Sequence, residues 1–240
     1  MSATVGRGAS RTIFVAGASS GIGLATAAAF ADAGDTVHAA ARRVAPIEAA
    51  LGDRVQAHAL DVTDRAAVAA LAGGMDALDA LIVAAGTNVP RRRLRELTPE
   101  TWDELIAVNL TGAWNLVHAF LEPLLASRGA IVLIGSVSGS WPDRSGPAYQ
   151  AAKAGVLALA RGIGFEADGR LRVTAILPGV VDTPILDRRP EPPDAETRAQ
   201  MLCAEDVAAA CRFVVDLPPR AYVPELTILP TALQAIGKTS

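Results

Sequence analysis

The chain has 240 residues, 51% of them hydrophobic and 20% charged, with a formal net charge of −3; this excludes a disordered chain and suits one large α/β domain with a substantial core. The slightly acidic balance gives no global field for nucleic acid, and no apolar run reaches the ~18 to 20 residues needed to span a bilayer. Cys203 and Cys211 form neither a disulfide framework nor a metal-ligand spacing, so a cytoplasmic protein without a metal, a nucleic-acid partner or a membrane is expected.

The first ten or so residues, with no apolar secretory core, read as a flexible tail. Thr12 to Ala16 is a short apolar strand running into Gly17-Ala18-Ser19-Ser20-Gly21-Ile22-Gly23 and then an Ala-rich helix ending near Gly34. Strand, glycine turn and helix in that order suit a dinucleotide, because the glycines let the backbone come close and the helix N-terminus offers unpaired N–H groups to a diphosphate. Asp35 to Ala41 is a second strand. It ends not on the acidic residue that favours NAD but on Arg42-Arg43, whose guanidinium groups suit a 2′-phosphate, with Ser19 or Ser20 as further donors. NADP(H) is therefore expected over NAD(H).

Arg54 to Leu60 reads as a third strand ending at Asp61-Val62, where Asp61 can accept from the adenine amino group. Thr63-Asp64 caps the helix that follows. Leu78 to Ala84 is a fourth strand closing on Ala85-Gly86. Arg91-Arg92-Arg93, with Arg95, reads as a solvated loop, though its position just past that strand leaves a role at the substrate entrance open, and with Arg188-Arg189 it weakly suggests an anionic substrate. From the cap Thr98 and Pro99, one helix is expected through Asn109 to about Ala126. Asn109 lies among apolar residues, where its amide must find partners: it either satisfies the core or orders a water chain to Lys153. His38, His58 and His118 lie far apart and read as structural or surface residues.

Ala130 to Gly135 is a buried parallel strand that delivers Ser136 at its carboxyl end, the ligand side of an open α/β sheet. Tyr149 and Lys153, four apart on a helix starting near Pro147, share one face a turn apart. A nearby ammonium favours phenolate, which brings Tyr149 toward use as a general acid/base. Leu171 to Leu177 is a sixth strand, followed by a loop from Pro178 to Pro184 that can meet the nicotinamide end of a cofactor. The proline-rich stretch over about 184–203 reads as a substrate lid. Glu205 to Val215 is helical and Glu225 to Leu229 a last short strand, with no linker or second domain. Val137, Trp141, Val181 and Ile185 are candidates to shape the pocket.

Together these residues resemble the short-chain dehydrogenase/reductase family over about 11–230. Gly17 to Gly23 matches the family's cofactor turn, Asp61-Val62 its adenine contact, Ala84-Ala85-Gly86 its fourth-strand motif, and Pro178-Gly179 with Val181 and Thr183 its nicotinamide loop. Asn109, Ser136, Tyr149 and Lys153 match its catalytic four in order and spacing. Ala16, Val83 and Ala84 depart from it, where a threonine and asparagines are usual. The resemblance implies a three-layer Rossmann-type fold, a doubly wound sheet of seven mostly parallel strands with helices on both faces. It also implies reversible hydride transfer between a nicotinamide and a carbonyl or secondary alcohol. Tyr149 would protonate the carbonyl oxygen, Ser136 would hold it, Lys153 would lower the Tyr149 pKa and bind the nicotinamide ribose, and Asn109 would hold a water reaching Lys153. A small-molecule substrate and a homodimer or homotetramer built on the two long helices, which carry Trp114, Leu116, Phe120, Val156, Leu157 and Leu159, are implied as well. The rival reading is a catalytically silent cofactor-binding protein that reports redox state.

Overall fold

Seven strands form one parallel sheet in the computed structural model, which describes residues 10–233. The expected tail over about 1–10 lies, apart from Ser10, outside the described residues. The strands are β1 (Thr12–Ala16), β2 (Thr36–Ala41), β3 (Gln56–Ala59), β4 (Ala80–Val83), β5 (Ala130–Ile134), β6 (Arg172–Pro178) and β7 (Glu225–Ile228), in the spatial order β3-β2-β1-β4-β5-β6-β7. Every neighbouring pair is parallel. The order turns back on itself between β1 and β4, and at such a switch point the connections leave in opposite directions and open a crevice at the strands' carboxyl ends.

The central strands are apolar throughout because both faces are covered. All of β5 is buried, and along β1 the alternation sends Ile13 and Val15 to one face and Phe14 and Ala16 to the other. On the Phe14 face pack α3 (Arg65–Ala72), α5 (Gly112–Ala119) and α7 (Pro147–Glu166), through Val68, Leu116, Val156 and Leu157. Phe14 meets Phe120 with ring centroids 4.5 Å apart, and burying a side chain of that size is worth about 1.5–3 kcal/mol. Against the other face pack α1 (Gly21–Asp32), α2 (Ala45–Leu51) and α9 (Ala204–Asp216), through Phe30, Ile47 and Val214.

The single helix expected from Thr98 to Ala126 is broken into α4 (Pro99–Ile106), a π-helical turn (Ala107–Thr111), α5 and α6 (Leu121–Ser127). Two residues account for the breaks. The Asn109 amide donates to the Leu105 carbonyl at 2.8 Å, in competition with the backbone ladder. Pro123 lacks an N–H for the Ala119 carbonyl and its ring crowds that carbonyl, so the helix restarts at Leu121. Asp64, not Thr63, caps α3, accepting from the Ala66 and Ala67 backbone at 3.0 Å. No helix among the described residues is long and apolar enough to cross a membrane.

Candidate active site

The crevice at the β1/β4 switch point is a cleft of about 980 Å³. One end is built by the turn after β1. Gly17 (φ +87°) donates its N–H to Ala40 O at 2.8 Å, tying the turn to β2. A Cβ on Gly23 would stand 2.2 Å from the Gly17 carbonyl oxygen, so α1 packs on the turn at a distance only glycine allows. The first turn of α1 carries no acidic residue, and Ser20 at its N-cap makes no side-chain capping bond, which leaves N–H groups and the positive end of the helix dipole toward the cleft. At Ala16 and Ala84, where the side chains carry no hydrogen-bonding group, backbone joins the two strand ends: Ala84 N–H donates to Ala16 O at 2.9 Å.

Arg42 and Arg43 follow β2 directly, exposed and on the cleft wall beside Ser19 and Ser20. Asp61 lines the same end. The N–H and hydroxyl of Thr63, at 2.9 and 2.7 Å, hold its carboxyl below the usual range, with a smaller pull from Arg42. Uncapped N–H groups, paired guanidinium groups and no carboxylate at the end of β2 fit a phosphorylated dinucleotide.

The other end gathers Ser136, Tyr149 and Lys153 on one wall. Ser136 follows β5 and its hydroxyl donates to Ser138 Oγ at 3.0 Å, while the Ser138 hydroxyl donates to Asp143. Asp143 also takes the Ser145 N–H at 2.8 Å and the Ser145 hydroxyl. Lys153 is buried within α7 and donates to Ile134 O at 2.8 Å, with Nζ 5.7 Å from the centroid of the Tyr149 ring. Burial pulls the Lys153 pKa down to about 8.

Tyr149 departs from expectation. Its phenol is pushed up to about 12, by burial first and then by Asp143; the Ser136 hydroxyl and the Arg92 and Arg189 guanidinium groups oppose this, and Lys153 contributes no resolved pull. Removal from water disfavours the phenolate more than the neighbouring cations favour it. The guanidinium groups that favour the phenolate come from the loop after β4 and from the segment over 184–203.

Asn109 is the one predicted catalytic or cofactor-binding residue that does not line the cleft. Its Oδ1 accepts from Thr87 N–H at 3.0 Å and its Nδ2 donates to Thr87 O and Leu105 O, so the amide ties the π turn to the loop after β4. It still borders Lys153: a Cβ on Gly86 would come within 3.1 Å of Asn109 Oδ1 and 3.7 Å of Lys153 Nζ. Pro178, Gly179, Val181 and Thr183 line the cleft where β6 ends, as do Ile22, Val62, Ala84, Ala85 and Gly86 nearer the cofactor turn. Val137 and Ile185 reach it as expected, but Trp141 does not.

Sequence reasoning missed Asp143, which sits in an irregular stretch between Ser136 and Tyr149 with no periodicity to place it. Of the two places left open for the Arg91 to Arg95 run, a solvated loop and the substrate entrance, Arg92 takes the second: it is 7% exposed and lines the cleft. His38 and His58 also meet, with ring nitrogens 3.0 Å apart on the paired strands β2 and β3.

The segment over 184–203 closes on itself at its base, where Asp182 N–H donates to Leu202 O at 2.8 Å and Leu202 N–H to Val180 O at 3.2 Å. It holds a 3₁₀ turn (Pro184–Arg188) and the short helix α8 (Ala195–Arg198). Arg188 Nη1 donates to Thr87 Oγ1 at 2.7 Å and Arg92 Nη2 to Arg188 O at 2.8 Å, pinning the segment to the loop after β4.

A family model described as short chain dehydrogenase matches residues 11–194. The chain is similar to sulfoacetaldehyde reductase of Chromohalobacter salexigens, 34% identical over 236 residues that cover 91% of this chain and 93% of that protein. It is similar too to cis-4-hydroxycyclohexanecarboxylate dehydrogenase of Sinomonas cyclohexanicum, 36% identical over 216 residues and 85% of each. Among solved structures, the closed form of serine dehydrogenase complexed with NADP+ superposes with a TM-score of 0.84 at 30% identity, over 92% of this chain and 95% of that one. An alcohol dehydrogenase from Thermococcus sibiricus complexed with 5-hydroxy-NADP gives 0.83 at 27% identity, over 93% and 97%. The chain belongs to the short-chain dehydrogenase family, NAD(P)-dependent oxidoreductases that act on the CH–OH and C=O groups of small molecules.

Proposed function

We propose that the protein is a cytoplasmic NADP(H)-dependent reductase of a small carbonyl compound, acting also as a dehydrogenase of the corresponding alcohol, with Tyr149 as general acid/base. The observation that carries this is the placement of Ser136, Tyr149 and Lys153 on one wall of a cleft whose other end carries Arg42 and Arg43 and no acidic residue after β2.

When bound, the nicotinamide supplies or accepts the hydride. The glycine turn and the N-terminus of α1 would hold the diphosphate, Arg42, Arg43 and Ser19 or Ser20 the 2′-phosphate, and Asp61 and Val62 the adenine. Lys153 and Tyr149 would hold the nicotinamide ribose. Ser136 turns its hydroxyl from Ser138 to the substrate oxygen and fixes it. Tyr149, a phenol protonated at neutral pH and held so by a pKa raised to about 12, then gives that oxygen its proton. Arg92 and Arg189 stabilise the phenolate left behind. The segment over 184–203, pinned to the loop after β4, serves as the lid that keeps water from the reacting atoms.

A catalytically silent reading is not favoured, since the relatives are dehydrogenases and reductases and all three catalytic side chains reach the cleft. Those relatives are named for substrates with an anionic group, a sulfonate in one and a carboxylate in the other.

Parallel titrations with NADPH and NADH test the cofactor half: tighter NADPH binding, lost in Arg42→Ala while NADH binding stays, is expected. Equal losses for both would remove the phosphate role. For the chemistry, Tyr149→Phe is expected to keep NADPH affinity and lower carbonyl turnover by roughly 10²- to 10⁴-fold. Retained turnover would remove Tyr149 as the acid.

A further inference from the structure

Arg92 sits in the cleft wall and makes no ion pair among the described residues, Asp143 attracting it only from beyond ion-pair distance. It is 7% exposed, its Nε has no hydrogen-bond partner among the described residues, and its Nη2 is spent on the Arg188 carbonyl. Its place is set by packing: at Gly146 (φ +92°), the residue before α7, a Cβ would stand 2.3 Å from Arg92 O and 2.9 Å from Arg92 Cβ. Arg92 is thereby fixed beside the first turn of α7, which carries Tyr149.

Arg189 enters the same space from the lid. Its side chain makes no ion pair or hydrogen bond among the described residues. The nearby carboxylates are committed elsewhere. Asp182 and Asp187 both pair with Arg198, and Asp143, held by Ser138 and Ser145, attracts Arg92 and Arg189 only from beyond ion-pair distance, one negative charge against two positive ones. Glu191 also lines the cleft, but it is exposed and forms no ion pair among the described residues. The first turn of α7 adds a helix N-terminus with no acidic residue and no side-chain cap.

A guanidinium buried with no carboxylate at ion-pair distance, next to a second one, leaves an excess positive charge that an anion from outside would complete. We infer that Arg92 and Arg189 clamp an anionic group of the substrate, and that the protein reduces a small aldehyde or ketone bearing a carboxylate or sulfonate. This rests on the reductase reading and names its substrate class. The size follows from placement: Arg92 packs on Gly146, three residues before Tyr149, and Arg92, Arg189 and Tyr149 line one cleft, so the anion lies within one short molecule of the reacting carbonyl. Arginine suits this task because its planar fork can meet two oxygens at once.

The test compares reduction of succinate semialdehyde and sulfoacetaldehyde with that of two uncharged counterparts, the methyl ester of the former and propanal. Wild type and Arg189→Gln are assayed alike, Arg189 being chosen because it is partly exposed and its loss is tolerated by the fold. The wild type is expected to favour each acid over its counterpart by roughly tenfold or more in kcat/KM, and Arg189→Gln to bring that ratio down toward one by raising KM for the acids, while any loss of phenolate stabilisation lowers kcat for acid and counterpart alike. Equal rates for acid and counterpart, or a ratio that Arg189→Gln leaves unchanged, would overturn the clamp and leave the reductase reading standing. Calorimetric titration of the NADP+-loaded protein with succinate separates the remaining cases. Should no carbonyl be reduced while succinate binds wild type and not Arg189→Gln, the clamp stands and the reductase reading falls. Absence of both turnover and succinate binding would overturn both.

Discussion

Lys153 keeps its place at the expense of its charge. Burial lowers its pKa from 10.5 to about 8, while Nζ donates to Ile134 O at 2.8 Å. From about pH 8 to 10.5 the unfolded chain binds a proton that the folded protein has lost, so this residue makes stability rise with pH across that window. Cys211 and Tyr149, each raised to about 12 by burial, act in the opposite sense, the first above about pH 9 and the second above about 10. The clean interval is therefore pH 7 to 9. Across it the cofactor-free wild type is expected to gain roughly 1 kcal/mol relative to Lys153→Met, read by urea unfolding of both proteins at the two pH values. Parallel pH trends in the two would show that Lys153 is not held at a lowered pKa. The Tyr149 and Lys153 pair was legible in the sequence because helical spacing alone puts both side chains on one face. Arg92 and Asp143 were not, because each lies in an irregular loop whose position against α7 depends on distant packing, as at Gly146.

At the scale of elements, the turn between β1 and α1 was legible down to its residues, since few sequences other than one rich in glycine can let a helix start this close to a strand end. The consequence is testable at Gly23. A methyl group there would lie 2.2 Å from Gly17 O and 2.7 Å from the Gly17 carbonyl carbon, both rigid backbone atoms that cannot step aside. Gly23→Ala is expected to destabilise the protein by about 1–3 kcal/mol and to abolish NADPH binding, because the strain displaces the N–H groups of α1 from the cleft. Unchanged melting temperature and cofactor affinity would mean that the turn relaxes without moving the helix. What the periodicity concealed was the break in the helix after Thr98. The apolar spacing runs on through Asn109, and only a side-chain bond to Leu105 O and a proline four residues past Ala119 interrupt it.

For the whole molecule, the order of strands was not written in any one of them; the alternation of strands and helices implied parallel pairing, and the family resemblance supplied the rest. The same holds for assembly, where sequence could not separate core from interface. The structure assigns Leu116, Phe120, Val156 and Leu157 to the core, at 5% exposure or less. Trp114 is 40% exposed but already stacked on His118, with Arg65 over its ring. Phe165, near the end of α7, is 89% exposed with no ring partner among the described residues. Trp102 on α4, the helix beside α7, is 40% exposed. Aromatic surface left open on adjacent helices is what an oligomer interface covers, and family members are often oligomeric. The protein is accordingly expected to run as a dimer or tetramer of its 24.7 kDa chain in light scattering. Phe165→Glu places a charge where the partner helix would pack; it is expected to shift the mass toward the single chain while leaving the far-ultraviolet circular dichroism unchanged. A wild type that stays monomeric at micromolar concentration would show that α7 has no partner of its own kind, and an oligomer indifferent to Phe165→Glu would move the interface to another face, such as the outer edge at β7.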